Sequence, residues 1–190
     1  MENSHHMAAP ENRDIIRIGD RNFVPYIGRD KIHAAVCRVA ARISADLAGT
    51  NPLFVCVLNG AFVFAADLFR EISIGGEITF VRMKSYDGTQ STGRVREIHG
   101  LDEDIAGRTV VIVEDIVDTG YTVRHLREQL LAKGPQEVRV AALLFKPEAL
   151  KCEVTVDYAA LEIPNRFIVG YGLDYNEQGR QLKDIYVVKE

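Results

Sequence analysis

The fold is decided by one continuous stretch of the chain, Val110-Val111-Ile112-Val113-Glu114-Asp115-Ile116-Val117-Asp118-Thr119-Gly120-Tyr121-Thr122. It starts as an apolar, β-branched run, which is typical of a strand buried on both faces of a sheet. The run meets two adjacent carboxylates, adds a third acid at position 118, and then opens a helical pattern. Adjacent side chains of a strand point to opposite faces, so we expect the strand to end before the acidic pair.

The same alternation of strand and helix recurs on both sides of this stretch. Helices are predicted at 29–49, 61–72 and 119–133 because apolar residues return every three or four positions there. Strands are predicted at 53–58, 78–83, 109–113 and 138–145. Alternating elements with short links predict an α/β fold with a doubly wound, mostly parallel sheet, whose ligands bind beyond the carboxyl ends of the strands.

The terminal segments lack this alternation. Short strand patterns occur at 167–171 and 185–188, and a hairpin is predicted around Asp20-Arg21-Asn22. We expect these segments to build a small hood over the sheet. A length of 190 residues suits one domain, with a core at about 29–150 and a hood from about 1–28 and 151–190.

Composition excludes several classes of protein. Apolar residues make up 47% and charged residues 26%, as in ordinary globular domains. A net charge of −4 argues against a general nucleic-acid binder, and the longest apolar runs are too short to cross a membrane. The polar first 14 residues lack the apolar stretch of a secretory signal, so we expect a cytoplasmic protein. The three cysteines show no metal-ligand spacing and are interpreted as reduced thiols.

The acids and the turn that follows them predict a binding site. Glu114 and Asp115 can accept hydrogen bonds from a diol or bind Mg²⁺, which prefers oxygen ligands. Thr119, Gly120 and Thr122 stand at a helix N-terminus, where backbone N–H groups favour a phosphate. Alternatively, Asp118 or Thr119 merely caps the helix and the acidic pair is solvated. For the string as a whole, the binding site is the better interpretation.

The acidic strand end and phosphate loop resemble the signature of the type I phosphoribosyltransferases. Other motifs resemble the branch that acts on 6-oxopurines, and they fall in order along the chain from about residue 53 to the end: Val57-Leu58-Asn59-Gly60, Ser85-Tyr86 with Gln90-Ser91-Thr92-Gly93, Leu144-Phe145-Lys146-Pro147, and 162–177 with Arg180. The resemblance implies purine salvage. The phosphoribosyl group of phosphoribosyl pyrophosphate would pass to N9 of hypoxanthine or guanine, giving the nucleoside monophosphate and pyrophosphate.

The resemblance also implies roles for individual residues. Asp118 would be the catalytic residue that accepts a proton near N7 of the base. Lys146 would donate to the purine 6-oxo group. Phe167 would stack on the purine, while the Ile168 backbone would contact the edge of the base.

The sugar and the pyrophosphate would be held by charged groups. Glu114 and Asp115 would bind the ribose hydroxyls, directly or through Mg²⁺, and Asp174 would be a further Mg²⁺ ligand. Arg180 would bind the pyrophosphate, for which a guanidinium is well shaped.

Loops would complete the site. Thr119, Gly120 and Thr122, with Asp118, would surround the 5′-phosphate and the purine, and Asn59 and Gly60 would approach the pyrophosphate after a cis Leu58–Asn59 peptide bond. The polar segment 85–96 fits a lid that starts with Ser85 and Tyr86, although composition alone fits an exposed hairpin tip equally well.

This chain departs from its relatives at two positions, since Asn59 and Tyr121 stand where many of them have lysine. Either change could weaken donor binding without changing the reaction. The relatives form dimers or tetramers, so a homo-oligomer is expected, without nucleic-acid or membrane partners. Two alternatives stay open: a non-catalytic, nucleotide-sensing regulator on the same fold, and a transferase that prefers xanthine.

Overall fold

The computed structural model of the chain describes residues 15–85 and 96–189. In chain order, the elements are β1 Ile16–Ile18, β2 Arg21–Ile27, α1 Arg29–Asp46, β3 Leu53–Leu58, α2 Phe62–Glu71, β4 Glu77–Ser85, β5 Arg96–His99, β6 Thr109–Val117, α3 Tyr121–Leu131, β7 Glu137–Phe145, β8 Tyr158–Glu162, β9 Ile168–Val169 and β10 Ile185–Val188. None of the described helices has the length and apolar character needed to cross a membrane.

The larger sheet has six strands in the order β5-β4-β3-β6-β7-β8. All neighbouring pairs are parallel except β4 and β5. Alternate residues of the central strands pack to opposite sides: Phe54 and Val111 contact the core beneath α1 and α2, whereas Val55 and Ile112 contact the core beneath α3. Helices therefore cover both faces, and the predicted doubly wound, mostly parallel α/β fold is confirmed.

The smaller sheet joins the two ends of the described chain. Its four strands are antiparallel in the order β1-β2-β10-β9. The predicted hairpin is present, with its turn at Gly19 and Asp20, which overlaps the first residue of the stretch that the sequence suggested. The hood of the predicted fold corresponds to this sheet.

Two strands differ from the sequence prediction. The strand β6 does not end at residue 113 but continues through the acidic pair to Val117, because its pairing with β7 continues to Phe145. The strand β8 joins the parallel sheet beside β7, so this sheet extends beyond the predicted core limit near residue 150. Its sequence Tyr-Ala-Ala-Leu-Glu lacks the β-branched residues that favour a strand, which is why the pattern alone missed it.

Candidate active site

Three neighbouring parallel strands bring their loops to one edge of the larger sheet. The strand β3 ends at Leu58, and the next peptide bond, Leu58–Asn59, is cis as predicted. The strand β6 leads through Asp118 into α3, and β7 leads directly into Lys146. Because the strands are adjacent and parallel, these loops lie together at the carboxyl edge of the sheet.

Asp118 and Lys146 form an ion pair at this edge. The Lys146 Nζ lies 3.0 Å from Asp118 Oδ2, and the Lys146 backbone N–H donates to the Val117 carbonyl at 2.9 Å. Lys146 is only 5% exposed, whereas 44% of the Asp118 side chain is exposed. Burying an ammonium group is costly unless it is paired, so Asp118 compensates the lysine while keeping part of its carboxylate open to a ligand.

The loop before α3 does not support the capping alternative. The residue at the N-cap is Gly120 with φ of +84°, and within the described residues no side chain caps the helix. The carbonyl of Thr119 accepts a hydrogen bond from the Lys151 backbone at 3.0 Å, which holds the loop in place. Thr119 is exposed and Thr122 is half-buried on the first turn of the helix. Among the described residues, the start of α3 therefore has no side-chain cap, and helix N-termini of this kind favour an anion.

The strand β6 continues through both adjacent acids, and their side chains have different surroundings. Glu114 is buried, at 5% exposure. Burial raises the pKa of the Cys56 thiol to about 12, and the nearby Glu114 carboxylate adds to this shift. The expectation that the strand must end before two adjacent acids is therefore wrong: a strand at a site edge accommodates both.

The carboxyl group of Asp115 is enclosed by backbone. Its Oδ1 accepts a hydrogen bond from the Ile116 N–H at 2.8 Å. A Cβ on Gly60 would overlap the Asp115 carboxylate, and a Cβ on Gly172 would overlap the Gly60 carbonyl. Desolvation raises the pKa of Asp115 to about 6, opposed by hydrogen bonds and by the Arg180 charge, and increased by the Asp174 charge.

The segment after β9 brings a cation, Arg180, and a further acid, Asp174, near the carboxyl group of Asp115. An Arg180 guanidinium nitrogen donates to the Gly172 carbonyl at 2.9 Å, and another lies 2.8 Å from Asp174 Oδ1. Since both charges act on the pKa of Asp115, the three side chains form one electrostatic group. The structure thereby gathers Asp115, Gly60, Asp174 and Arg180 beside the Asp118–Lys146 pair.

Two contacts at the site involve residues that the sequence did not single out. The Tyr171 hydroxyl donates to Asp67 on α2, which fastens the segment after β9 to the helix that follows Gly60. The Arg82 guanidinium donates to the Asn59 side-chain oxygen at 3.2 Å. A cation therefore stands next to Asn59, the position at which the resemblance led us to expect a lysine. In the sequence, Arg82 resembles any exposed charge on a strand, so no pattern could have identified it.

The remaining predicted residues lie in other parts of the chain. Phe167, the residue just before β9, is 40% exposed. Its ring centroid lies 5.6 Å from that of Tyr175 and 5.3 Å from the Arg21 guanidinium carbon. Ile168 is buried in β9. Ser85 is the last residue of β4, whereas Tyr86 and the lid motif 90–93 lie outside the described residues.

Comparisons with known proteins agree with this arrangement. Residues 28–176 match the phosphoribosyl transferase domain family. The chain is 41% identical to a hypoxanthine-guanine phosphoribosyltransferase of Streptococcus pneumoniae over 165 residues, covering 86% of this chain and 92% of that protein. It is 38% identical over 174 residues to the enzyme of that name from Leishmania donovani, covering 86% and 82%.

Solved structures with a similar fold are phosphoribosyltransferases as well. A hypoxanthine-guanine phosphoribosyltransferase from Bacillus anthracis superposes with a TM-score of 0.78 at 35% identity, covering 87% of this chain and 96% of that chain. A hypoxanthine phosphoribosyltransferase from Staphylococcus aureus superposes with a TM-score of 0.80 at 30% identity, covering 87% and 92%. The chain therefore belongs to the phosphoribosyltransferase family and, within it, to the hypoxanthine-guanine phosphoribosyltransferases.

Proposed function

We propose that the protein transfers the 5-phosphoribosyl group of phosphoribosyl pyrophosphate to N9 of hypoxanthine or guanine in purine salvage. The products are IMP or GMP and pyrophosphate. The single observation that carries the proposal is the ion pair of Asp118 and Lys146 at the carboxyl edge of the sheet. A 6-oxopurine carries an acceptor at O6 and a neighbouring ring nitrogen, and this pair offers one donor and one acceptor side by side.

The two members of the pair take separate roles with the base. The Lys146 ammonium donates to O6, a contact that a 6-amino group cannot accept, and this disfavours adenine. The Asp118 carboxylate accepts the proton that the base loses at N7. The bond from N9 to the ribose C1′ forms while the bond from C1′ to pyrophosphate breaks, so one proton and one pyrophosphate leave for each nucleotide made. Phe167 contributes an exposed ring on which the purine stacks, with the Ile168 backbone beside the base edge.

The donor is held by the acids and the loops. Glu114 and Asp115 bind the ribose hydroxyls, and Thr119, Gly120 and Thr122 bind the 5′-phosphate at the start of α3. Arg180 binds the pyrophosphate together with the backbone of Asn59 and Gly60. Arg82, which contacts Asn59, supplies a second cation there. Ser85 and Tyr86 begin the lid that keeps water from the reactive ribose.

The acids also fit Mg²⁺, the cofactor that we propose. Carboxylate oxygens are the ligands that Mg²⁺ prefers, and the charges of Asp174 and Arg180 both reach the enclosed carboxyl of Asp115. Glu114, Asp115 and Asp174 are therefore the proposed metal ligands. Bound Mg²⁺ would neutralise part of the negative charge on the pyrophosphate leaving group.

We further propose that the enzyme is a cytoplasmic homodimer or homotetramer. The three cysteines are free thiols, which suits a reducing compartment. Exposed Phe62 lines a cavity of about 560 Å³ together with Val63 and Tyr171, and such apolar surface suits contact with another copy. Light scattering during size-exclusion chromatography would measure the subunit count.

The test is direct synthesis. The protein is incubated with phosphoribosyl pyrophosphate, Mg²⁺ and one base at a time: hypoxanthine, guanine, xanthine or adenine. We expect nucleotide from hypoxanthine, guanine or both, and none from adenine. Product mainly from xanthine would replace this function with the xanthine-preferring alternative, and nucleotide binding without product from any base would favour the regulator.

A further inference from the structure

A cluster of metal-binding side chains lies between α1 and α2 and contains none of the acids of the sheet edge. It consists of His33 and Cys37 on α1 and Glu71, the last residue of α2. One ligand atom from each of the three residues lies within 4.8 Å of the other two. His33 and Cys37 are four positions apart, so the helix places them on one face, and the packing of α2 against α1 adds the carboxylate.

The distances within the cluster suit a bound ion. The Cys37 Sγ lies 3.6 Å from Nε2 of His33 and 3.9 Å from Nδ1. A tetrahedral zinc ion with Zn–S of about 2.3 Å and Zn–N of about 2.1 Å holds its sulfur and nitrogen ligands about 3.6 Å apart. The helical spacing therefore already provides the ligand separation that zinc requires. Because Sγ lies at similar distances from both ring nitrogens, the imidazole has to rotate to direct one of its lone pairs at the ion.

The chemistry of the three groups selects the kind of ion. Thiolate, imidazole and carboxylate are the three ligand types that zinc sites in proteins use. Mg²⁺ and Ca²⁺ prefer oxygen and do not select a thiolate or an imidazole. A thiolate and a carboxylate together carry two negative charges, which match a divalent cation, while the imidazole binds as a neutral ligand.

We propose that His33, Cys37 and Glu71 form a zinc site, with water as the fourth ligand. Binding forms one bond to each side chain, and the Cys37 thiol releases its proton to solvent as the Zn–S bond forms. The ion then joins α1 to the C-terminal end of α2. Since zinc binds the folded protein at a site that the unfolded chain does not hold together, binding raises the melting temperature.

Cobalt(II) tests the site, since it occupies zinc sites and reports its ligands by absorption. The purified chain, freed of metal with a chelator, is titrated with Co²⁺. We expect a sulfur-to-cobalt charge-transfer band and the intense visible bands of four-coordinate cobalt, saturating at one ion per chain. Zinc added afterwards removes both. These bands do not depend on transferase activity, so the result stands independently of the proposed function.

Variants identify the ligands. Cys37→Ser abolishes the charge-transfer band, and His33→Asn and Glu71→Gln each weaken Co²⁺ binding by more than about tenfold, since loss of even an outer-shell partner costs about 10–100-fold. Cys152→Ser is the matched control, because Cys152 has the same intermediate burial and lies in the loop before β8, outside both helices of the cluster. His5 and His6, outside the described residues, contribute no sulfur and cannot give the band.

Melting temperatures give a second measurement. Zinc raises the melting temperature of the unsubstituted chain and of Cys152→Ser, but not that of Cys37→Ser or His33→Asn. Circular dichroism verifies that each variant is folded without metal. A titration without a sulfur-to-cobalt band, or a band that survives in Cys37→Ser, would overturn the zinc site.

Discussion

The Nζ of Lys146 lies 3.0 Å from Oδ2 of Asp118, and the buried lysine has this half-exposed acid as its partner. The free protein thereby holds a donor and an acceptor in contact at the point where β6 and β7 end. A base that enters has to separate the two charges or bridge them. In the proposed complex, O6 of the base takes the place of Asp118 as the acceptor for Lys146, and the N7 proton takes the place of Lys146 as the donor to Asp118.

Removing the charge of Asp118 tests its role as proton acceptor. We expect Asp118→Asn to lower kcat by about 10²–10⁴ with little change in the KM of either substrate, because an amide cannot take the proton. Steady-state kinetics with hypoxanthine measure both constants. The matched control is Asp102→Asn, at an exposed loop position. Near-normal kcat in Asp118→Asn would remove Asp118 from the mechanism.

Replacing Lys146 tests recognition of the 6-oxo group. Lys146→Met retains the buried alkyl chain but loses the charged donor, whose hydrogen bond is worth about 1.5–3 kcal/mol. We expect the KM for hypoxanthine to rise by about 10–100-fold and the preference over adenine to fall. Kinetics with both bases measure this change. An unchanged preference in a folded Lys146→Met variant would contradict the assignment.

The contact of Arg82 with Asn59 predicts a compensating pair of substitutions. Arg82→Ala removes the cation beside the predicted pyrophosphate loop, and we expect a severalfold higher KM for phosphoribosyl pyrophosphate with an unchanged KM for the base. Asn59→Lys in the same chain restores a cation and lowers that KM again. If Arg82→Ala alters neither KM, the guanidinium serves only to position Asn59.

The close approach of Gly60 to Asp115 predicts a steric effect. Gly60→Ala puts a methyl group into the Asp115 carboxylate, so we expect stability to fall by about 1–3 kcal/mol, as for an overpacked core. Gly28→Ala is the matched control, since its φ is −73° and no atom lies within 4 Å of the added Cβ. Urea unfolding compares the two variants. Equal stability would show that the loop at Gly60 moves away freely.

The raised pKa of Asp115 predicts a pH-dependent stability of the metal-free protein. The folded pKa is about 6 and the ordinary value is 3.8, so the folded state binds more protons between these values and loses stability as pH rises through that window. Asp115→Asn removes this dependence and retains an acceptor for the Ile116 N–H. We expect the variant's gain in melting temperature over the parent to be larger at about pH 7.5 than at about pH 4. A gain that is equal at both pH values would contradict the shift.

Local patterns were sufficient for most of the fold. The helical period of α1, the apolar runs of β3 and β7 and the turn residues between them depend on neighbours in sequence, so they could be predicted. The strand β8 could not, because it is stabilised by pairing with β7 and not by its own residues. The continuation of β6 through Glu114 and Asp115 likewise depends on a partner strand.

The site residues also divide into those that the local sequence reveals and those that only tertiary contacts reveal. The acids and the loop before α3 form one continuous string, so the sequence predicted them together. The enclosure of Asp115 by Gly60 and Gly172 joins residues more than fifty positions apart, and only the tertiary structure reveals it. In the cluster of His33, Cys37 and Glu71, the sequence does contain the local pair, four positions apart on one predicted helix, but this pair was not singled out. The third member is contributed by a second helix, which only the tertiary structure shows.

The smaller sheet has a consequence for synthesis on the ribosome. The strand β2 emerges early, yet its neighbour β10 comes after every strand of the larger sheet, and the Lys189 N–H closes the smaller sheet on the Asn22 carbonyl. A nascent chain can therefore assemble the larger sheet while β2 still lacks this neighbour. The smaller sheet is completed only when β10 has been synthesised and pairs with β2.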